Sequence, residues 1–325
     1  MRIGIFGGSG LIGRLLVERL KVENRVVVFD LLPVQISGVD FVRVDVLAAS
    51  QSPTKLAGCQ AVINLCGQPI FGWPPAKFQD KYLSRVATTK RIVGWLEQMP
   101  TKPAVFIGAN AVGYYGDHGE ELIAESSPAG SGELAKLCLD WQAATQAAEK
   151  FGIRTVVMRQ GVVISPTGGV MAVIKPFFKL GLGATFGNRQ GWFSWIGWQD
   201  LAAAYELAIN NSTISGPVNL VSPEPVRQKE FIAALAKHWR RPAIWRWPKF
   251  FGRLIFGSAV EEITASRRVL PTKLLELGCR PEAIECGVLG RRLQILADRQ
   301  EIDVGGAQIV HHLQDLLARL TQADH

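Results

Sequence analysis

The feature that most constrains the fold of this chain lies at its start, where a short apolar run meets a glycine-rich turn. Ile3–Phe6 is apolar and predicts a buried strand, and Gly7, Gly10 and Gly13 follow at G-x-x-G-x-x-G spacing. From Leu11 onward, apolar residues recur at helical spacing. A strand, a glycine turn and a helix in this order are typical of a site that binds a dinucleotide with its pyrophosphate at the helix N-terminus. The alternative is a glycine-rich turn that binds no ligand.

An acidic residue after the next predicted strand, Arg25–Phe29, indicates which dinucleotide is bound. Asp30 can accept hydrogen bonds from both ribose hydroxyls of NAD, and its charge would repel the 2′-phosphate of NADP. The next residue is Leu31 and not an arginine, so we predict NAD, with NADP as the alternative cofactor. A second alternative is that Asp30 only ends the strand.

Further cofactor contacts are expected where later strands end. Asp45 follows the third predicted strand, Phe41–Val44, and could meet the adenine amino group, although a helix N-cap is an equal alternative. Asn64–Gly67 follows the fourth strand, where a chain would pass the pyrophosphate and the nicotinamide ribose. The predicted cofactor-binding residues are Gly7, Gly8, Ser9, Gly10, Leu11, Ile12, Gly13, Asp30, Asp45, Asn64, Leu65, Cys66, Gly67 and Arg85.

Strand and helix patterns alternate through the first half of the chain, which predicts the fold class. We expect an α/β protein with a Rossmann-type doubly wound parallel sheet and a smaller mixed α/β substrate domain. The Rossmann domain is predicted over residues 1–164, with 196–222 returning to it. The substrate-side domain is predicted over 165–195 and 223–325, ending in a helix at Ile309–Leu320.

Composition narrows the class of protein further. The 325 residues are 48% hydrophobic and 20% charged, which is typical of a globular protein. We expect a cytoplasmic protein without a membrane span, because no run of about 18 apolar residues occurs and the start lacks a signal-like leader. The five cysteines are scattered without a C-x-x-C pair, so neither a disulfide framework nor a metal site is predicted. The net charge of +8 is read as a solvated basic face, with an acidic ligand or partner as the alternative. We expect no nucleic-acid partner, and a homodimer stays open.

Taken together, the motifs resemble those of the extended short-chain dehydrogenases/reductases. The resemblance extends to about residue 280 and is strongest to an atypical bacterial branch called epimerase family proteins. It implies an NAD(P)-binding Rossmann fold and an oxidoreductase or epimerase-like activity on a small substrate whose identity is open. The motifs that carry it include Gly7–Gly13, Ile63–Gly67, Ser84-Arg85 with Thr89, Gly113–Gly116, Leu137-Cys138 with Trp141, Arg159–Val163, Gly181–Gly183, Trp195-Ile196, Asn219–Pro223 and Leu270-Pro271.

The resemblance also implies a catalytic Tyr-x-x-x-Lys pair, and this sequence departs from it. Counted back from Trp141, the tyrosine position falls on Leu134 and the lysine position on Cys138, while the usual serine falls near Asn110. Lys136 is two residues from the lysine position, about 200° round a helix. The ordinary acid–base machinery is therefore expected to be absent. A catalytically silent dinucleotide sensor, or an assembly protein related to cell division, is the alternative function.

Other residues could replace that machinery. Tyr115, just after the fifth predicted strand, and Asn110 are our candidate catalytic residues, and Arg85 or Arg159 could polarise a carbonyl. For each, a purely structural role is the alternative, such as an ion pair of Arg85 with Asp80 or Glu97 on the surface.

Two expectations concern the second half of the chain. Trp192, Trp195 and Trp198 could line an aromatic pocket, with core packing as the alternative. Asp200 is expected to cap the helix Leu201–Ile209.

Overall fold

A computed structural model of the chain describes residues 1–49, 51–69, 77–166, 168–243, 245–247 and 260–278. The helix predicted at Ile309–Leu320 lies outside these residues. In the part that is described, no helix is both long enough and apolar enough to cross a bilayer.

The strands run in chain order through both halves of the molecule. They are β1 (Arg2–Phe6), β2 (Arg25–Asp30), β3 (Asp40–Arg43), β4 (Ala61–Asn64), β5 (Val105–Ala111), β6 (Leu122–Ile123), β7 (Arg154–Gln160), β8 (Val162–Ser165), β9 (Gly168–Gly169), β10 (Ala184–Phe186), β11 (Trp192–Phe193), β12 (Trp195–Gly197), β13 (Gly216–Leu220), β14 (Val226–Arg227), β15 (Trp245–Trp247) and β16 (Arg268–Val269).

The helices connect these strands. They are α1 (Leu11–Leu20), α2 (Phe78–Tyr82), α3 (Thr88–Gln98), α4 (Glu133–Gln146), α5 (Val170–Lys179), α6 (Trp198–Asn210), α7 (Gln228–Trp239), α8 (Val260–Thr264) and α9 (Thr272–Glu276). A π-helical turn, Leu83–Ala87, joins α2 to α3, so that one continuous helical rod runs from Phe78 to Gln98.

Seven strands form one parallel sheet in the order β13-β7-β5-β4-β1-β2-β3. The order steps outward in both directions from β1 and β4, which is the doubly wound arrangement. The predicted α/β Rossmann-type fold is therefore confirmed. The carboxyl ends of β1 and β4 lie side by side at the point where the order reverses, and such a point is the usual ligand site of an open parallel sheet.

Strand alternation divides the core between the two faces of the sheet. Ile3 and Ile5 face one side, where they pack with α1 and α6, and Phe6 and Phe29 face the other, where they pack with α3. A separate apolar cluster in the second half joins α5, α7, β8 and β11. Small sheets, β12-β8-β9 and β10-β15 among them, build this second part.

One local prediction in this half is wrong. Helix α6 begins at Trp198 with Gly197 as its N-cap, three residues earlier than expected. Asp200 therefore lies within the first turn and is not the cap, although a carboxylate there still suits the positive end of the helix dipole.

Candidate functional site

The glycine turn between β1 and α1 contains three glycines that the fold itself requires. Gly7 has φ +79°, and a Cβ there would lie 2.8 Å from the carbonyl carbon of Leu65. A Cβ on Gly8 would lie 2.6 Å from Val28 Cγ1, and one on Gly13 would lie 2.6 Å from the Cα of Gly8. Each is therefore glycine because helix, turn and neighbouring strands pack without space for a side chain.

Gly10 is different from the other three. It is the N-cap of α1, with φ −68° and ψ 173°, a conformation open to any residue. A Cβ there would meet one atom, the Gly7 carbonyl oxygen at 3.4 Å, which is an ordinary contact distance. The packing of the described residues therefore gives no reason for a glycine at this exposed position.

The backbone around Gly10 presents donors to the same space. The first helical hydrogen bond of α1 runs from the Arg14 N–H to the Gly10 carbonyl, at 2.9 Å. The N–H groups of Leu11, Ile12 and Gly13 precede it and point out of the helix end. Helix α1 has ten residues, and its dipole adds positive potential there. The arrangement suits a phosphate group.

Two further side chains of this turn are used by the fold. Leu11 contacts the backbone of Gly168 and Gly169, because its methyl carbons would lie 3.1 Å from a Cβ at either glycine. Ile12 packs against the apolar cluster on the α1 side of the sheet.

Asp30 lies at the end of β2, directly beside the turn. One carboxylate oxygen accepts from the Ser9 N–H at 2.8 Å, and the other accepts from the Leu31 N–H at 2.7 Å. The carboxylate thus fixes the turn, and each oxygen keeps a lone pair for another donor such as a ribose hydroxyl.

Two arginines, which the sequence analysis did not identify as site residues, lie near Asp30. Arg14 Nε donates to the Ser9 carbonyl at 2.8 Å, on the residue whose N–H binds Asp30. Arg43 is the partner of Asp30 in the pairing of β2 with β3. Both side chains are exposed, so they bring positive charge to the side of the turn where Asp30 is expected to read the ribose.

Asp45 lies farther along, in the turn after β3. Its Oδ1 accepts from the N–H groups of Leu47 and Ala48, at 3.0 and 3.2 Å. These bonds close a turn, and no helix of the described residues begins there, so the helix N-cap alternative is wrong and the adenine contact stays a prediction. The residue is exposed, so its second carboxylate oxygen remains accessible.

The segment after β4 is held by a buried network. Asn64 is fully buried, donates to Thr89 Oγ1 at 2.8 Å and accepts from the Cys66 N–H at 3.0 Å. Thr89 Oγ1 also accepts from the indole N–H of Trp141 at 3.0 Å. Asn64 therefore shapes the turn of Leu65 and Cys66 from behind, since its side chain both donates and accepts within the protein.

Cys66 is a neutral thiol in this turn. Burial raises its pKa to about 12, and the nearby Asp30 carboxylate adds to the rise. The thiolate needed for nucleophilic chemistry is therefore scarce at neutral pH.

Arg85 lies in the π-turn and is buried, with only 6% of its surface exposed. Its guanidinium donates to the carbonyls of Gln68 and Lys81 at 2.8 and 3.3 Å and lies 3.0 Å from the site of a Cβ on Gly67. The expected surface ion pair with Asp80 or Glu97 is therefore wrong.

The environment of Arg85 combines a cation with few countercharges. The guanidinium lies 5.4 Å from the centre of the Trp141 ring, and no carboxylate of the described residues forms an ion pair with it. Burial lowers the pKa of Arg85 to about 10, with a smaller opposing effect of Cys138. Arg85 thus remains charged at neutral pH, and π-turns inside helices are frequent at functional sites.

Helix α4 carries Leu134 and Cys138, the residues on which the tyrosine and lysine positions fall when counted from Trp141. Cys138 is buried and Leu134 is half-buried, and both pack towards β5. Lys136 is exposed on the far side, where it pairs with Asp140 at 3.3 Å. None of the four tyrosines of the sequence has a lysine four residues later.

Asn110 joins β5 to this helix. Its amide donates to the Cys138 carbonyl at 2.9 Å, and its Oδ1 accepts from the Ala111 N–H at 2.8 Å. Only 3% of the residue is exposed. In this conformation its hydrogen bonds fix the spacing between strand and helix.

Tyr115 is fully buried in a polar cluster at the ends of β7 and β13. Its hydroxyl donates to Asn219 Oδ1 and accepts from Arg159 Nη1, both at 2.7 Å. Burial raises the pKa of Tyr115, against an opposing effect of Arg159. The Arg159 guanidinium also lies 3.6 Å from the centre of the Tyr114 ring. Both hydrogen-bonding roles of the Tyr115 hydroxyl are therefore taken.

Two of the three tryptophans of the second half have different surroundings. The guanidinium groups of Arg227 and Arg268 both stack on Trp192, 3.9 and 4.5 Å from the ring centre. Trp195 instead belongs to the apolar core of the second half. The packing alternative therefore applies to Trp195, and a pocket role of Trp192 and Trp198 stays a prediction.

Comparisons with known protein sequences identify the family of this chain. Residues 3–220 match the model of the NAD dependent epimerase/dehydratase family. An epimerase family protein of Mycobacterium bovis is 34% identical over 279 residues, which cover 85% of this chain and 92% of that protein. A chloroplastic epimerase family protein of Arabidopsis thaliana, named an SDR39U1 homolog, is 31% identical over 290 residues, which cover 86% and 82% of the two chains.

Solved structures show the same fold. The human epimerase family protein SDR39U1 (isoform 2), crystallised with NADPH, has a TM-score of 0.79 at 27% identity, covering 92% of this chain and all of that one. A UDP-glucuronic acid 4-epimerase from Bacillus cereus, in complex with UDP-glucuronic acid and NAD, shares the fold with a TM-score of 0.71 at 17% identity, covering 90% and 97%. The resemblance inferred from the motifs is thereby confirmed, and the chain belongs to the NAD dependent epimerase/dehydratase family.

Proposed function

We propose that this protein binds a nicotinamide dinucleotide at the turn of residues 7–13 and uses it as an oxidoreductase or epimerase-like enzyme on a small substrate. The observation that carries the proposal is Gly10. Gly7, Gly8 and Gly13 are explained by the packing of the protein itself, but Gly10 is not. A glycine that the fold does not need, at a helix N-terminus with outward N–H groups, is explained by the close approach of a pyrophosphate.

The surrounding residues fit the rest of the dinucleotide. Asp30, held by the Ser9 and Leu31 N–H groups, would accept from the adenosine ribose. The turn of Asn64–Gly67 borders the same space, since a Cβ on Gly7 would touch Leu65. When bound, the cofactor would supply hydride transfer.

The choice between NAD and NADP depends on opposing charges. We propose NAD as the preferred cofactor, because a doubly charged 2′-phosphate would lie against the Asp30 carboxylate. Arg14 and Arg43 act in the other direction, and the human relative was crystallised with NADPH. The Bacillus cereus epimerase was solved with NAD.

The reaction would use a fixed cation in place of the ordinary pair. Arg85 is buried, charged and close to Cys138, the position at which related enzymes have lysine. In this role it would hold the nicotinamide ribose or stabilise negative charge on a substrate oxygen. Tyr115 and Asn110, our candidate catalytic residues, are engaged within the protein, so we propose that they position β5 and β7 around the site unless substrate binding releases them.

The same engagement favours a second candidate, a dinucleotide-binding protein that does not turn over substrate. Leu134 cannot ionise, and no lysine ammonium prepares a tyrosinate near neutral pH. General acid–base catalysis of that kind typically contributes about 10²–10⁴-fold. In this reading the cofactor holds a shape or a partner, as in a sensor or an assembly protein.

Binding and turnover can be tested separately. Calorimetry with NAD(H) and NADP(H) tests the first step, and failure of both to bind at millimolar concentration would refute the proposal. Cofactor absorbance during a screen of substrate pools tests the second. We expect no appreciable turnover of ordinary sugar nucleotides or alcohols, and any activity found should depend on Arg85.

Control variants test in that screen which side chains contribute to turnover. Turnover that survives both Tyr115→Phe and Asn110→Ala would support their positioning role, and its loss in either variant without loss of cofactor binding would restore them as catalytic residues. Loss of turnover in Lys136→Ala would contradict our placement of α4. A cytoplasmic location and a homodimer accompany this function as proposals, which fractionation and light scattering would test.

A further inference from the structure

An apolar cavity lies in the second half of the molecule, between α5, α7, β10 and β11. Its volume is about 50 Å³. A cavity of about 10–15 Å³ holds one water on this measure, so the space suits between about three and five heavy atoms. Of the twelve described residues that line it, ten are apolar, and the other two are Thr185 and Gln228.

Thr185 is the polar residue that the fold leaves unsatisfied there. It is only 5% exposed, and its hydroxyl has no hydrogen-bond partner among the described residues. A buried hydroxyl without a partner typically costs about 1–3 kcal/mol. Gln228 differs, because its side-chain N–H already donates to the Ile263 carbonyl. Valine has nearly the shape of threonine, so packing alone does not explain a hydroxyl at position 185.

One lining residue of the cavity is joined through the chain to the proposed cofactor site. Val170, one of its lining residues, directly follows Gly168 and Gly169, and these two glycines contact Leu11 of the dinucleotide turn. A substrate bound over the cofactor could therefore extend into the cavity along the start of α5.

The chemistry of the lining selects the kind of group that enters. No charged side chain of the described residues lines the cavity, so a phosphate or carboxylate would lose its hydration without compensation. An aliphatic group would be favoured by burial, and one oxygen or nitrogen on it would satisfy the Thr185 hydroxyl.

We propose that this cavity binds the apolar part of the substrate, an uncharged aliphatic group of about three to five heavy atoms with one polar atom that hydrogen-bonds Thr185. The proposal deepens the proposed function and rests on it only in calling the ligand a substrate. It places the specificity of the enzyme in a small hydrophobic site and not in recognition of a nucleoside diphosphate.

The test uses 2-butanone as the probe and the isoleucine methyl groups as reporters. Ile174, Ile232 and Ile263 line the cavity, and Ile107 in the sheet core is the control. In methyl NMR of the full chain, we expect saturable shifts at the three lining isoleucines with a millimolar Kd and none at Ile107. Unsaturable shifts, or shifts of equal size at Ile107, would overturn the proposal.

Variants of Thr185 separate a binding role from a structural one. Thr185→Val should weaken butanone about three- to tenfold, since one neutral hydrogen bond is lost, while raising Tm by about 2–4 °C because an unsatisfied group is removed. Thr185→Ser keeps the hydroxyl and should bind within twofold of wild type. Unchanged affinity or a lowered Tm in Thr185→Val would show that the hydroxyl serves no ligand.

The cavity proposal can be tested independently of the cofactor proposal. Gly10→Val, which removes the proposed pyrophosphate position, should leave butanone binding unchanged. Wild-type protein that binds butanone but no dinucleotide would refute only the cofactor proposal, and wild-type protein that binds dinucleotide but no butanone would refute only the cavity.

Discussion

Gly10→Val is the substitution that most directly tests whether the turn binds a dinucleotide. Gly10 has φ −68°, so valine meets no backbone barrier, and its Cβ would contact only the Gly7 carbonyl oxygen at 3.4 Å. The two methyl groups of the new valine side chain would lie in the space in front of the N-terminus of α1. That space is where the N–H groups of residues 11–13 would meet the pyrophosphate.

Gly10→Val is expected to have a small effect on the free energy of unfolding and a large effect on the Kd of the dinucleotide. The free energy of unfolding should change by no more than about 0.5 kcal/mol, as for a surface substitution that breaks no contact. Loss of two hydrogen bonds to a charged phosphate costs at least about 3 kcal/mol, which is more than 100-fold in Kd. A variant that folds like wild type but binds dinucleotide at least 100-fold more weakly is therefore expected.

Two other glycines provide matched controls. Gly94 lies inside α3, and a Cβ there would meet nothing within 4 Å. Gly94→Ala should therefore stabilise the protein by about 0.5–1 kcal/mol and leave binding unchanged. A Cβ on Gly13 would lie 2.6 Å from Gly8 Cα, so Gly13→Ala should destabilise the fold by about 1–3 kcal/mol.

Denaturant unfolding and calorimetry with NAD(H) read out all three variants. The reasoning is refuted if Gly10→Val binds the cofactor as wild type does. It is refuted equally if Gly10→Val loses stability as Gly13→Ala does, because Gly10 would then be needed by the fold.

Three further predictions follow from charge and burial. Asp30→Ala should narrow a preference for NAD over NADP in calorimetry, and a tenfold wild-type preference for NADP(H), about 1.4 kcal/mol, would mean that basic residues such as Arg14 outweigh Asp30. Arg85→Gln should weaken dinucleotide binding at neutral pH. Because burial holds the pKa of Arg85 at about 10, the advantage of wild type should be full at neutral pH and disappear as pH rises through that value, and parallel pH profiles would contradict this. Burial raises the pKa of Tyr115 and Tyr205 above the ordinary value of about 10, so their contribution to stability is full below that pH and falls above it, as the unfolded chain ionises first. Absorbance at 295 nm should show these two tyrosines ionising only as circular dichroism is lost, and ionisation in the folded protein near pH 10 would contradict it.

The parts of the fold that the sequence predicted depend on local patterns. The apolar run of Ile3–Phe6, the glycine spacing and the helical recurrence after Leu11 specify a strand, a turn and a helix within twenty residues. The alternation of strands and helices predicts the doubly wound parallel class, and the single hand of the crossovers restricts the strand orders that such a sheet can take. The ends of helices and strands follow less closely from local patterns. The third strand is predicted at Phe41–Val44, and β3 covers Asp40–Arg43.

Contacts between distant elements were not predictable in this way. The burial of Arg85 depends on Gly67 after β4 and on Trp141 in α4, and no spacing within one element reveals that meeting. Arg43 comes next to Asp30 only through the register of two strands. Thr185 also looks ordinary in sequence, because an unsatisfied hydroxyl is defined by neighbours that the fold brings together.

The position of Arg85 suggests what the proposed site retains of the ordinary mechanism. A lysine in α4 would do two things, since its ammonium lowers the pKa of a tyrosine and also holds the nicotinamide ribose. By the count from Trp141 that position falls on Cys138, and we propose that the cation comes instead from Arg85 in the π-turn, beside Trp141 and Gly67. An arginine keeps its proton at neutral pH and presents a planar set of donors, so it can orient and stabilise an anion but is a poor proton donor. The proposed site therefore keeps the electrostatic part of the mechanism, and a substrate whose own chemistry or bound water provides the proton fits it best.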